Sequence, residues 1–123
     1  MADMDVALKD ALQLDGALAV AIVDWNSGMA LATAGGGFGF DVSVAAAANT
    51  EVLRAKLRTL DMLGLREGVE DILVTLDSQY HLIRPITAPD GGGLFLYLAL
   101  NRDRANLAMA RHRLRIIERQ LEI

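Results

Sequence analysis

Residues 91–118 read GGGLFLYLALNRDRANLAMARHRLRIIE, and this stretch decides the fold class. Its segment Leu94–Leu100 is apolar throughout, which predicts a central β-strand with both faces covered. Apolar residues then recur with a 3-4-3-4 spacing and predict a helix that ends near Leu121, with Asn101 or Asp103 as its N-cap. The apolar positions of this helix are Leu107, Ala110, Leu114, Ile117 and Leu121.

Upstream of this stretch, the chain predicts two hairpins. The nearer one pairs Val69–Leu76 with Tyr80–Ile86, and the glycine-rich turn Pro89–Gly93 joins it to the central strand. The first hairpin pairs Ala17–Val23 with Met29–Thr33 across a polar turn that contains Trp25 and Gly28. The Trp25 ring is either a binding anchor or a cover for the core beside a helix, and we expect the second.

Two further helices are predicted. A short amphipathic helix spans Met4–Leu14, and a long one spans Val42–Leu63 between an N-cap at Asp41 and a left-handed residue at Gly64. The long helix has an expected buried stripe of Ala46, Asn49, Leu53, Leu57 and Leu60. The element order is therefore α-β-β-α-β-β-β-α, which predicts one α/β domain over residues 1–123, an α+β sandwich with a mostly antiparallel sheet.

Composition restricts the class of function. The chain has 123 residues, no cysteine and a net charge of −4, which argues against disulfides, thiolate chemistry and nucleic-acid binding. No apolar run approaches the roughly 20 residues of a membrane span, and the acidic N-terminus lacks the basic region of a secretory signal. We therefore expect a soluble, cytoplasmic protein without a membrane span.

Charge is distributed unevenly. Residues 101–123 hold six arginines and three acidic residues, whereas the remainder holds six basic and thirteen acidic residues. The arginine-rich last helix is either a docking face or a solvated surface.

Catalytic patterns are missing from the sequence. The glycine-rich segment 35–39 precedes a helix, but it lacks the lysine of a P-loop and is followed by Asp41, so we interpret it as a connector. His81 and His112 are far apart and fit no metal-binding spacing. We predict no enzyme activity, no catalytic residue, no metal site and no cofactor.

The strand Val69–Leu76 is a candidate sheet edge. Its unpaired backbone groups could be closed by the same strand of a second copy across a two-fold axis. We expect Glu70 and Asp71 at its start to protect an exposed edge by charge repulsion. In the long helix, the nearly all-alanine segment Val44–Ala48 allows close approach of another element.

In its order of segments, the chain resembles a roadblock/LC7 domain of the bacterial type. The resemblance covers nearly the whole chain. It is carried by ALAVAIVDWNSGMALA at 17–32, LDMLG at 60–64, YHLIRPI at 80–86 and, most strongly, the stretch quoted first, with Asn106-Leu107-Ala108 as a typical feature.

The resemblance implies a five-stranded antiparallel sheet in the order 2-1-5-4-3, with the long helix on one face and the terminal helices on the other. It also implies a homodimer in which the third strands pair and the long helices lie side by side, acting as a scaffold or regulator of a small Ras-like GTPase, with a sensor-kinase-like protein as a further partner. The expected dimer residues are Asp71, Ile72, Leu73, Val74, Thr75, Leu76, Ala45 and Ala48, and the expected partner face is Glu51, Arg54 and Arg58. The glycine-rich segment is an insertion in this pattern.

A small-molecule sensor is the alternative function. PAS-like and GAF-like domains also place helices on an antiparallel sheet, but they enclose a ligand cavity. The bulky residues of Leu94–Leu100 favour a filled core instead.

Overall fold

The computed structural model describes residues 3–37, 39–86 and 92–121. Its elements are α1 (Met4–Leu12), β1 (Ala17–Asp24), β2 (Met29–Gly35), α2 (Val42–Leu63), β3 (Ile72–Thr75), β4 (Gln79–Pro85), β5 (Leu94–Asn101) and α3 (Leu107–Gln120). The five strands form one antiparallel sheet in the order β2-β1-β5-β4-β3. The α+β class, the element order and the sheet order are confirmed.

The sheet separates two apolar layers because successive side chains of a strand point to opposite faces. Leu96 and Leu98 of β5 face α1 and α3, whereas Phe95 and Tyr97 face α2. Seven consecutive residues of β5 are buried, because the side chains on each face of this strand pack into one of the two layers. The apolar run at 94–100 was sufficient to predict this position.

Helix ends follow local chemistry in α2. Asp41 accepts hydrogen bonds from the backbone N–H groups of Ser43 and Val44, and Gly64 ends the helix in the left-handed region at φ 70°. Both predicted caps of α2 are therefore confirmed.

The predicted N-cap of α3 is wrong. Asn106 is the cap, and its side chain accepts from the N–H of Met109. Asn101 instead ends β5, and its side chain accepts from the N–H of Asp103 in a turn. In both a turn and a helix cap, an Asn or Asp side chain accepts a hydrogen bond from a nearby backbone N–H group. Asn101, Asp103 and Asn106 were therefore equivalent N-cap candidates in the sequence.

Other boundaries differ by a few residues. Strand β3 covers only Ile72–Thr75, so Asp71 and Leu76, predicted within it, lie just outside. Strand β2 continues to Gly35, and α1 ends at Leu12. The first part of the predicted turn, Pro89–Gly91, lies outside the described residues.

The predicted buried stripe of α2 is only partly correct. Ala46 and Leu53 are fully buried, whereas Asn49, Leu57 and Leu60 are half-buried. Thr50 is buried although it was not predicted to be, and its hydroxyl donates to the carbonyl of Ala46 at 2.8 Å. This back-bond satisfies the hydroxyl inside the apolar layer.

Candidate interaction surfaces

Strand β3 forms one edge of the sheet, paired on one side with β4. The Leu76 N–H donates to the Gln79 carbonyl at 2.8 Å where the hairpin closes. Bonded and non-bonded pairs alternate in an antiparallel ladder, so the backbone groups of Ile72 and Val74 face β4. Those of Leu73 and Thr75 face away from β4, where no strand lies among the described residues.

The α2 side of the sheet is incompletely covered near this edge. Ile72 is in register with Ile83, and Val74 with His81, so all four side chains lie on the α2 side. Ile72, Val74 and His81 are only half-buried, while Ile83 is fully buried. An apolar surface of this kind beside an open edge is suited to contact with another chain.

A groove of about 320 Å³ lies between this surface and the start of α2. The His81 ring makes edge-on contacts with Phe40 and Tyr97 there. Its Nε2 lies 2.7 Å from Gln79 Oε1, and its Nδ1 lies 3.3 Å from the Tyr97 hydroxyl. A neutral imidazole with its proton on Nε2 satisfies both contacts, donating to Gln79 and accepting from Tyr97.

Burial determines the charge state of this pair. Desolvation lowers the pKa of His81 below its ordinary value of 6.5, because the charged imidazolium is disfavoured away from water. The same cause raises the pKa of Tyr97 to about 12. Both groups are therefore mainly neutral near pH 7.

The outer side of α2 carries an exposed stripe opposite its buried residues. Its members recur at helical spacing and are Val44, Ala48, Val52, Ala55, Thr59 and Met62. Val44 is 62% exposed and Met62 is 84% exposed. Of these, only Ala48 was in the predicted interface, which on α2 comprised the two alanines Ala45 and Ala48. The signal was present, because Val44, Val52 and Met62 fall at spacings that exclude them from the buried face.

The expected partner face lies along one flank of α2. Arg54 contacts Glu51 at 2.9 Å and donates to the carbonyls of Trp25 and Asn26 at 2.5 and 2.7 Å. Its guanidinium therefore joins α2 to the β1–β2 turn, a structural role that spacing could not show. Trp25 is half-buried against the α2 layer, and a groove of about 350 Å³ lies beside it, lined in part by Arg58, which is exposed.

The expected dimer residues divide by position. Leu73 and Thr75 carry the outward backbone groups, Ile72 and Val74 face the α2 side, Ala45 lines the His81 groove, and Ala48 is exposed on α2. The Asp71 carboxylate instead accepts two hydrogen bonds from Arg111 of α3. Glu70 and Asp71 were expected to protect the edge by charge repulsion, but both are paired with arginines of α3, which offsets their charge.

Several arginines of the last third of the chain are likewise engaged within the molecule. Arg111 binds Asp71, Arg115 binds Glu70, and Arg102 donates to the Leu76 carbonyl. These contacts therefore hold the last third of the chain to the segment around β3, a role that the charge pattern alone does not indicate.

Within residues 3–37, 39–86 and 92–121, no three His, Asp or Glu side chains converge in a way that could hold a metal ion. None of the helices in the described part of the chain has the length and apolar character needed to cross a bilayer.

Comparisons with known proteins identify the fold. The sequence matches no protein-family model and no curated protein. The structure is similar to a roadblock/LC7 domain from Streptomyces avermitilis, with a TM-score of 0.81 at 14% identity over 96% of this chain and 93% of that one.

Two proteins of Myxococcus xanthus are similar as well. MglB gives a TM-score of 0.73 at 18% identity, covering 93% of this chain and 84% of that chain. MglC gives 0.60 at 21% identity, covering 94% of this chain and 93% of that chain. The chain therefore has the roadblock/LC7 fold.

Proposed function

We propose that this chain is a non-enzymatic, homodimeric scaffold or regulator that binds a small Ras-like GTPase in the bacterial cytoplasm, with a sensor-kinase-like protein as a further partner. The observation that carries the proposal is the open edge of β3 beside an incompletely covered apolar surface. The class of partner comes from the roadblock/LC7 resemblance. Self-association is also compatible with a similar structure described as "MglB with tetrameric arrangement".

Self-pairing of β3 would use the outward groups of Leu73 and Thr75. If these residues pair with each other across a two-fold axis, the axis passes beside Val74 and the two sheets join into one of ten strands. The half-buried side chains of Ile72 and Val74 then lie at the centre of the joined surface. The small side chains Ala45 and Ala48 allow the two α2 helices to approach closely.

The proposed GTPase-binding surface lies on the flank of α2 that carries Glu51, Arg54 and Arg58. Aromatic residues and arginine are enriched among residues that dominate binding energy, and Trp25 and Arg58 border one groove there. Since Arg54 is already engaged with the β1–β2 turn, Arg58 is the arginine of this flank that is available for direct contact.

Sedimentation velocity tests the homodimer, with Thr75→Pro as the diagnostic variant. Proline removes the outward N–H of Thr75 and costs no bond to β4, so we expect the variant to be monomeric and folded. Proline at Val74 is the comparison, since it removes a bond to β4 and should destabilise the monomer as well. A wild-type protein that stays monomeric at tens of micromolar would disprove the homodimer.

The GTPase is tested by capture from native bacterial lysate with mass spectrometry. Arg58→Ala should lower recovery of a small GTPase, whereas Arg119→Ala, an exposed arginine at the end of α3, should leave it unchanged. Capture without any small GTPase, or equal capture by both variants, would count against this partner or this surface.

A ligand sensor would need an enclosed cavity. The α1/α3 layer and the α2 layer are filled by side chains from every strand, and the His81 groove is open to solvent. These observations favour the scaffold over the PAS-like or GAF-like alternative.

A further inference from the structure

Both ends of the open edge strand are held by arginines from outside its hairpin. Before β3, Arg111 binds Asp71 with two hydrogen bonds, Nε to Oδ2 at 2.9 Å and Nη2 to Oδ1 at 3.1 Å. After β3, Arg102 donates from Nη1 to the Leu76 carbonyl at 2.8 Å. We call these two contacts the arginine clamp.

The clamp connects β3 to the firmly packed part of the molecule. Arg111 follows the buried residue Ala110 of α3, and Arg102 follows directly after β5. The Arg102 guanidinium also lies 5.2 Å from the centre of the Tyr80 ring. Strand β3 has only four residues and one neighbouring strand, so few bonds of its own hold its ends. The clamp fixes both ends from the side of the sheet that faces α3.

A second pair of contacts supports the beginning of this segment. Glu70 Oε1 lies 3.1 Å from Arg115 Nε and 3.9 Å from Arg84 Nη1. The two acidic residues before β3 are thus surrounded by three arginines, and the charge of the segment is locally compensated.

This compensation matters for pairing between two copies. When Leu73 of one chain pairs with Thr75 of the other, residue 71 lies opposite residue 77 by register. Both positions lie just beyond the ends of β3, so this register brings Asp71 towards the turn residue Asp77 of the second copy. Like charges brought together in this way are destabilising. The bidentate contact with Arg111 offsets the charge of Asp71 at this position.

We infer that Arg111, assisted by Arg102, is a positioning residue for self-association. It fixes the ends of β3 and offsets the charge of the Asp71 carboxylate, which would otherwise repel Asp77 of the second copy. This inference rests on the proposed homodimer. Arg102 and Arg111 of the arginine-rich segment would thus prepare the interface, although neither residue lies on the edge strand that pairs.

Sedimentation equilibrium on the full chain tests the inference through Arg111→Met, which keeps the stem and removes the charge. We expect the dimer dissociation constant to rise at least about tenfold, equivalent to about 1.4 kcal/mol. The matched control is Arg113→Met on the same helix, since Arg113 is more exposed and lies 3.9 Å from Asp10. It should leave the constant unchanged.

Two further readouts separate repulsion from a general loss of structure. Adding Asp71→Asn to Arg111→Met should restore part of the affinity, and raising the salt concentration should strengthen the Arg111→Met dimer, because salt screens like charges. A purely structural role would give neither result. If Arg111→Met does not fold, Arg102→Met at the exposed end of the clamp is measured instead and should also weaken the dimer.

The outcomes distinguish the inference from the homodimer proposal itself. A dimeric wild type whose affinity is unchanged in Arg111→Met, or in Arg102→Met where that variant replaces it, would overturn the role of the clamp and leave the homodimer standing. A monomeric wild type would overturn both.

Discussion

The Nε atom of Arg84 lies 2.7 Å from Oε1 of Glu118, and this ion pair joins β4 to α3 beneath the helix. The two side chains are only 12% and 8% exposed. Glu118→Ala leaves the buried guanidinium with the more distant Glu70, at 3.9 Å. We expect the free energy of unfolding to fall by about 3 kcal/mol in urea titrations, since an inadequately paired buried charge is costly.

Arg113→Ala provides the contrast for this ion pair. Its partner Asp10 lies at 3.9 Å and both side chains are substantially exposed, so we expect a loss below about 1 kcal/mol. Equal losses in the two variants would show that burial does not set the strength of these pairs.

Gly35 is predicted to be irreplaceable at the end of β2. Its φ is 78°, and a Cβ added there would lie 2.5 Å from the Leu18 carbonyl oxygen. Gly64 has a similar φ of 70°, but an added Cβ would meet nothing within 4 Å. Gly64→Ala should therefore cost only the conformational penalty of about 1–2 kcal/mol, and Gly35→Ala clearly more. Thermal unfolding of both variants decides the comparison, and equal midpoints would contradict it.

Asn106 is predicted to be the decisive cap of α3. Asn106→Ala removes the acceptor for the Met109 N–H and should cost about 1 kcal/mol, whereas Asn106→Asp should be nearly neutral. Asp103 was another N-cap candidate that the sequence allowed, and Asp103→Ala should lower the free energy of unfolding less than Asn106→Ala does. Urea unfolding monitored by helical circular dichroism gives the ranking, which a larger effect at Asp103 would reverse.

His81 is predicted to make stability depend on pH. Its pKa is lowered in the folded state, so the unfolded chain binds the proton more readily. The neutral His81 side chain makes its full contribution to the free energy of unfolding above pH 6.5, the ordinary pKa of histidine in an unfolded chain. This contribution is lost as the pH falls toward the lower pKa that His81 has in the folded protein. His81→Gln should therefore flatten the stability profile between about pH 7.5 and about 5.5. An unchanged slope in urea titrations across this window would exclude His81 as its source.

The exposed stripe of α2 is predicted to take part in self-association. Val44→Glu places a charge on a side chain that is 62% exposed, so the monomer should keep its stability while the dimer weakens. Met109→Glu on α3 is the control, at 55% exposure on the opposite side of the sheet. Light scattering at several concentrations measures both, and equal behaviour of the two variants would place the contact elsewhere.

The central strand and the ends of α2 were predicted well from the sequence, because each depends on the properties of neighbouring residues. The apolar run at 94–100 requires burial on both faces, and Asp41 and Gly64 have side-chain and backbone properties suited to helix ends. The sheet order came from the family resemblance and not from any single segment.

The errors arose where distant residues decide the outcome. Strand β3 stops short of Asp71, whose carboxylate binds Arg111, forty positions later in the chain. Arg54 was expected on an open face, but it is engaged with the carbonyls of Trp25 and Asn26. Charge spacing along one helix cannot reveal such partners, because the fold brings them together.

Strand β4 carries His81 and Ile83 toward α2, and Leu82 and Arg84 toward α3. These alternating side chains share one backbone, so a displacement of the strand on one side is a displacement on the other. A contact that displaced β4 at the His81 groove would therefore also displace Arg84 relative to Glu118.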